Sequence, residues 1–257
     1  MVRRTLVLIV VTACGSEHDP VMPDAAGNPS IAGTPVSSFE TSSCSTGDVL
    51  ALSIQIADEV HCIMPGQLVA FEEGPAIMFT GSAVLPYVSS AARDALYAAT
   101  SGSGNVLQVT SGFRTVVQQY LLYRWFQMGR CGITAAADPG TSNHESGRAL
   151  DVSNYNTWIT ALEANGWAHD VPGDPVHFDH LSSPDIRGAD VLAFQRLWNR
   201  NAPDDPITED GQYGPMTEER VKRAPAEGFG IGAPCAQRLA PPIARSGEGN
   251  DEVECAR

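Results

Sequence analysis

Basic residues are scarce in this chain. Its 257 residues include 16 Lys and Arg but 30 Asp and Glu, so the formal net charge is −14 at pH 7. No run of basic residues could displace counterions from a phosphate backbone, which argues against nucleic acid and against an anionic membrane surface as partners. We therefore expect partners that are neutral or weakly charged.

Long apolar runs are also missing. The apolar run at residues 6–11 follows Arg3 and Arg4 and is far too short to span a bilayer, but it has the length of the hydrophobic region of an export signal. The Val-Thr-Ala-Cys sequence that ends at Cys14 resembles the lipobox of bacterial lipoproteins, in which the cysteine is lipidated. The resemblance implies a signal peptide at residues 1–13. Ordinary secretory cleavage is the alternative.

The lipobox resemblance also implies where the protein resides. We expect an exported protein that reaches a membrane only through a lipid on Cys14. Because the next residue is not Asp, we expect the periplasmic face of the outer membrane. Residues 14–43 are rich in Pro, Gly, Ser and Asp and show no helical or strand periodicity, which is typical of a flexible tether.

Cysteine spacings typical of metal sites, such as CxxC, are absent as well. The chain has six cysteines, of which five remain if Cys14 carries a lipid, so at most two disulfides can form. An oxidising compartment favours such bridges. We favour a pair between Cys44 and Cys62, which would close a short loop at the start of the folded region, although sequence alone leaves the connectivity open.

The zincin motif His-Glu-x-x-His is absent, because no second histidine follows His144 and Glu145 at the required position. Two other potential metal ligands, His144 and Asp151, lie seven residues apart. An odd spacing on a straight strand places side chains on opposite faces, so both can reach one ion only if the chain bends between them. Gly147 is the residue that tolerates such a bend.

Residues 142–151 resemble the pattern Ser-x-His-x-x-Gly-x-Ala-x-Asp of the zinc D-alanyl-D-alanine carboxypeptidases. That family includes the vancomycin-resistance carboxypeptidases and shares its fold with the Hedgehog signalling domain. The five fixed positions are all present: Ser142, His144, Gly147, Ala149 and Asp151. Residues 111–115, Ser-Gly-Phe-Arg-Thr, resemble the family's Ser-Gly-Tyr-Arg-Ser segment.

The resemblance implies an α+β domain at residues 44–183, with a small antiparallel sheet flanked by helices. It implies a zinc-dependent D-alanyl-D-alanine carboxypeptidase that cleaves cell-wall peptides with metal-activated water. Its implied Zn²⁺ ligands are His144, Asp151 and His177, which leave a fourth position open. Arg114 would stabilise an oxyanion or bind the substrate carboxylate. Gln119 and Ser142 would contact the substrate.

One segment departs from the family pattern. Where the family has Glu-Pro-Trp-His, this chain has Asp174-Pro-Val-His177, so the general base would be Asp174, one methylene shorter than Glu. His180 is a competing ligand, but it lies three residues from His177 and therefore points to the other face of a strand, where a structural role is expected. A related wall endopeptidase and an inactive zinc-binding or wall-binding lipoprotein remain alternative functions.

Local patterns predict several elements. Ser89 or Ser90 should cap a helix over residues 91–100, and Thr115 a helix over residues 116–128. Residues 67–79 are predicted to form two strands joined by a turn, and residues 106–110 a further strand. A strand is also expected from Val176 onward.

A composition shift at residues 183–188 predicts a domain boundary. Beyond it, helical spacing over residues 191–198 is followed by Asp-Gly and by Tyr-Gly-Pro-x-Thr at residues 213–217. This order resembles a small helical peptidoglycan-binding domain, which implies such a domain at residues 184–235 and a tail at 236–257. A segment that only packs against the first domain is the alternative.

Overall fold

The structure is a computed structural model that describes residues 31–235. The expectations for the signal peptide, for Cys14 and for the tail at 236–257 lie outside the described residues. Seven α-helices lie within the described part: α1 Phe39–Ser42, α2 Leu50–Ile63, α3 Ser90–Thr100, α4 Val116–Gln127, α5 Ile159–Glu163, α6 Ala189–Asn201 and α7 Pro215–Arg223. No helix between residues 31 and 235 is both long and apolar enough to cross a membrane.

Six strands complete the fold of residues 31–235. They are β1 Val69–Ala70, β2 Ile77–Phe79, β3 Tyr87–Val88, β4 Leu107–Ser111, β5 Ala149–Val152 and β6 His177–Asp179. Four of them form a sheet in the order β2-β4-β5-β6, while β1 and β3 form a separate antiparallel pair. The predicted α+β class is confirmed.

The main sheet is mixed, not wholly antiparallel as the family resemblance implied. Strands β4, β5 and β6 are antiparallel, but β2 runs parallel to β4. A parallel pair needs a long connection, and α3 lies in the chain between β2 and β4. The two strands predicted within residues 67–79 are present as β1 and β2, but they belong to different sheets and do not pair with each other.

The helix starts follow the predicted caps. Ser89 Oγ accepts a hydrogen bond from the Ala92 N–H at 3.2 Å and begins α3. At the start of α4 the Gln118 side chain reaches back to the Thr115 N–H at 3.3 Å. These contacts satisfy backbone donors that have no partner inside the helix.

Within residues 31–235 the structure has two apolar cores, one built on the main sheet and one among the helices. The sheet core contains Leu107, Val109, Leu150, Val152 and Phe178, packed against α3 and α5. The helical core joins residues of α2, α4 and α6, such as Leu52, Val117 and Phe194. All four residues of β5 are buried, so both faces of this strand are covered.

The segment predicted as a C-terminal domain shares the helical core. Trp198 of α6 and Val221 of α7 belong to the same apolar cluster as α2. Glu59, which is 1% exposed, is paired with Arg200 through two contacts of 3.1 Å between their side-chain oxygens and nitrogens. The boundary at residues 183–184 and the peptidoglycan-binding role stay predictions.

The expected pair between Cys44 and Cys62 was wrong. The structure joins Cys44 to Cys131 and Cys62 to Cys235, with Cα–Cα distances of 5.3 and 5.6 Å. Cys62 lies near the end of α2, whose 14 residues form a helix roughly 21 Å long. Because Cys44 precedes this helix, the short stretch of sequence between the two cysteines is rigid and holds them apart.

We expect peptide mapping of the unreduced protein to recover the pairs Cys44–Cys131 and Cys62–Cys235. Replacing both Cys62 and Cys235 with Ser should lower the free energy of unfolding by about 2–5 kcal/mol, since the bridge restricts a long loop in the unfolded chain. Denaturant melts of the double variant under oxidising conditions measure this loss. A recovered Cys44–Cys62 peptide would contradict the pairing.

Candidate metal centre

The register of three strands brings polar side chains into one row. Ser111 of β4 lies opposite Asp151 of β5, and Asp151 lies opposite His177 of β6. Side chains alternate along a strand, so Phe178 points the other way, into the sheet core. The same alternation that builds the apolar core therefore leaves Asp151 and His177 together on the opposite face.

His144 reaches this row from a turn that precedes β5. The turn spans Asn143–Ser146, and it ends at Gly147, whose φ of 71° lies in the left-handed region. The bend predicted at this glycine is therefore present. It directs the His144 ring back toward Asp151, which follows in the next strand.

The three side chains converge on one another. His144 Nε2 lies 3.2 Å from Asp151 Oδ2, and His177 Nδ1 lies 3.1 Å from Asp151 Oδ1. One nitrogen or oxygen from each residue falls within 4.8 Å of the others, and all three residues are buried. This geometry is that of a two-histidine, one-carboxylate metal site.

The hydrogen bonds fit a cation at this place. His144 Nδ1 lies 2.8 Å from the Gly112 carbonyl oxygen, which can only accept, so Nδ1 carries a proton. In the neutral ring, Nε2 then directs its lone pair at the Asp151 carboxylate. A positive ion between the two removes that repulsion, and a backbone carbonyl behind a ligating imidazole is a common support.

The electrostatics show how strongly these residues interact. Burial would raise the pKa of Asp151, but the charges and hydrogen bonds of His144 and His177 lower it well below its usual value. Burial would lower the pKa of His177, but its contacts with Asp151 and Asp179 raise it to about 10. The carboxylate is thus held ionised in the protein interior, ready to bind a cation.

Arg114 lies beside this cluster and is 1% exposed. Its guanidinium donates to Gln119 Oε1 at 3.1 Å and to Ser111 Oγ at 3.2 Å, and one of its nitrogens lies 3.8 Å from Asp151 Oδ2. Gln119 in turn donates to the Ala137 carbonyl oxygen at 2.8 Å. The structure therefore places Arg114 next to the candidate ligand Asp151, and Gln119 beside Arg114, where it orients the guanidinium.

A cavity of about 130 Å³ opens onto the cluster. Its lining residues are Ala137, Thr141, Ser142, Asn143, Val171, Asp174 and His177. Asp174, which is 4% exposed, thus lies at the same cavity as the candidate metal ligand His177 and the predicted substrate residue Ser142. Its lining combines polar side chains with the apolar side chains of Ala137 and Val171.

His180 does not join the cluster. Its Nδ1 lies 2.7 Å from Ser183 Oγ, and its ring packs against Trp167 with centroids 5.3 Å apart. The predicted structural role of this histidine is therefore confirmed.

Two buried carboxyl groups beside the site have structural roles that the sequence analysis did not assign. Glu145 accepts the Gly140 N–H at 2.8 Å and the Ser142 N–H at 2.9 Å, and so fixes the loop that carries His144. Burial and the nearby charge of Asp190 on α6 raise the pKa of Glu145. The spacing Ser-x-x-Glu at residues 142–145 is that of a helix capping box and could have identified Glu145.

Asp179 is the second of these carboxyl groups. It follows His177 by two residues and therefore shares its face of β6, a relation that the alternation of a strand predicts. Asp179 Oδ2 lies 3.2 Å from His177 Nε2. His177 thus has a carboxylate at each of its two ring nitrogens.

Comparison with known families agrees with this geometry. Residues 84–171 match the family model described as VanY, D-alanyl-D-alanine carboxypeptidase. The match covers about a third of the chain and contains Arg114, Ser142, His144 and Asp151 but ends before Asp174 and His177. No curated protein matches the chain.

We expect the purified protein to bind about one zinc ion per chain, as a three-ligand site does. His144→Ala and His177→Ala should each lose most of the metal, because each removes one of three protein ligands. His180→Ala is the matched control and should keep it. Elemental analysis of the three variants measures zinc content, and retention in both ligand variants with loss in the control would reject the ligand set.

Proposed function

Because residues 84–171 belong to the VanY-type D-alanyl-D-alanine carboxypeptidase family, we propose that this protein is a zinc-dependent D,D-carboxypeptidase of cell-wall peptides. The observation that carries the proposal is the convergence of His144 Nε2 and His177 Nδ1 on the buried carboxylate of Asp151. Zinc held there would polarise the scissile carbonyl and lower the pKa of water. The protein's own side chains would perform the proton transfer and bind the substrate.

We assign the general base to Asp174. Its place at the cavity shared with His177 supports this role, because a base must reach the attacking water beside the metal ligands. Asp174 would accept a proton from that water and pass it to the leaving amine. The shorter side chain, compared with the family's Glu, requires its backbone to lie close to the site.

Arg114 is assigned to the negative charge that develops on the carbonyl oxygen, or to the substrate carboxylate. Its permanent charge and its 3.8 Å distance from Asp151 support this assignment. Gln119 and Ser111 hold the guanidinium, so little reorganisation is needed when charge develops. Ser142 and the small side chains around the cavity would contact the substrate.

Incubation of the zinc-loaded protein with a wall pentapeptide ending in D-Ala-D-Ala tests the function. A D,D-carboxypeptidase releases free D-alanine, whereas an endopeptidase releases larger fragments without it. The replacement of Glu by Asp174 favours a second candidate, a zinc-binding wall protein without catalysis. That candidate predicts bound zinc, bound peptide and no product of either kind.

For the base, we expect Asp174→Asn to keep its zinc and to lower kcat by roughly 100-fold or more, the usual scale of lost general-base catalysis. Asp170→Asn, an exposed carboxylate in the same loop region, is the matched control and should leave kcat unchanged. Steady-state kinetics with zinc content measured in parallel separates the two effects. Undiminished turnover in Asp174→Asn would remove Asp174 from the mechanism.

We also propose export and lipid anchoring through Cys14, which rests on the sequence alone. Mass spectrometry of the native N-terminal peptide should find an acylated cysteine at position 14. Cys14→Ser should abolish the acylation and release the protein from membranes. An unmodified N-terminus at another cleavage site would contradict the proposal.

A further inference from the structure

His177 lies between two carboxylates, of which only one belongs to the proposed ligand set. Its Nδ1 faces Asp151 at 3.1 Å, and its Nε2 faces Asp179 Oδ2 at 3.2 Å. We propose that Asp179 is a positioning residue that orients the His177 ring for metal binding, and that Asn143 holds Asp179 in place. This inference rests on the proposed zinc site.

Asp179 lies at the Nε2 side of the imidazole, whereas Asp151 lies at the Nδ1 side. The cavity is lined by His177 and Asp174, and Asp179 is not among the described residues that line it. Asp179 is 3% exposed. Asp174 and Asp179 therefore have different surroundings. Asp174 lines the cavity proposed for substrate, whereas Asp179 lies against Nε2 of the His177 ring.

Asn143 fixes the orientation of the Asp179 carboxylate. Its Nδ2 donates to Asp179 Oδ2 at 2.6 Å, while its Oδ1 accepts from Arg187 at 3.4 Å. The arginine contact sets the amide so that its donor side faces the carboxylate. Since Asn143 directly precedes His144, this hydrogen bond also connects the two segments that carry the histidines.

Burying the Asp179 carboxylate lowers the stability of the folded protein. A buried group of this kind is expected to have a function, and His177 is its neighbour. Among the described residues, its Oδ1 has no hydrogen-bond partner. A buried carboxylate that is only partly hydrogen-bonded destabilises a protein unless a charge compensates it. The N–H at His177 Nε2, which lies 3.2 Å from Asp179 Oδ2, and the cation that the ring would hold at Nδ1 would together supply that compensation.

Asp179 would affect which ring nitrogen of His177 carries the proton. A carboxylate beside Nε2 favours the tautomer in which Nε2 carries the proton, and this leaves the Nδ1 lone pair free for the ion. It also makes Nδ1 a stronger donor to the metal. Among the described residues His177 Nε2 makes no well-aligned hydrogen bond, so the carboxylate at 3.2 Å acts on the ring mainly through its charge.

We expect Asp179→Asn to weaken zinc binding by roughly 10–100-fold, the range found when such partners of ligating histidines are removed. Competition with a chelator measures the dissociation constant, and Co²⁺ substitution should show a changed visible absorption spectrum. Asp170→Asn is the matched control. Asn143→Ala should weaken binding in the same direction but less, and Asp179→Glu should restore part of it.

The outcomes separate this inference from the proposed function. If the wild-type protein binds no zinc, the proposed function fails. If the wild type binds zinc and Asp179→Asn binds it equally well, the positioning role is overturned. Equal zinc binding with a loss of kcat at saturating zinc would also overturn it and would assign Asp179 to proton transfer. Circular dichroism before titration excludes variants that fail to fold.

Discussion

A carboxylate that is both ionised and buried is the constraint on which the centre of this molecule depends. Asp151 lies in a strand covered on both faces, where a charge without partners costs several kcal/mol. His144, His177 and Arg114 supply the compensation, and each arrives from a different part of the chain. The sheet register and the turn before β5 bring these three side chains to Asp151. Arg114 is positively charged, and the two histidines can bind a positive ion.

The features that could be predicted from the sequence are those set by residues close together in the chain. The motif at residues 142–151 with His177 predicted which side chains would meet, because it combines a spacing that needs a bend with a glycine that allows one. Helix caps such as Thr115 could also be predicted, because the capping residues are close together in the sequence. Strand partners and disulfides were not: the pairing of β2 with β4 and of Cys62 with Cys235 joins residues far apart in sequence. Such long-range contacts depend on how the whole core packs, which local sequence patterns do not specify.

The C-terminal segment also contributes to the surroundings of the site. Asp190 at the start of α6 influences Glu145, and Glu145 holds the loop that carries His144. Tyr213, in the connection to α7, lies close to Gly140 of the same loop, where a Cβ would come within 3.2 Å of the tyrosine. The motif residues 142–177 do not include the supporting side chains Asp190 and Tyr213.

The bridge between Cys62 and Cys235 has a consequence for the order of events during biosynthesis. Its cysteines are separated by 173 residues, so the bond cannot form until residue 235 has been synthesised and has entered an oxidising compartment. By then the strands carrying Asp151 and His177 have long left the ribosome. The covalent link between α2 and Cys235 therefore forms only after both strands have been synthesised, and a chain truncated before residue 235 would leave Cys62 as a free thiol open to wrong partners.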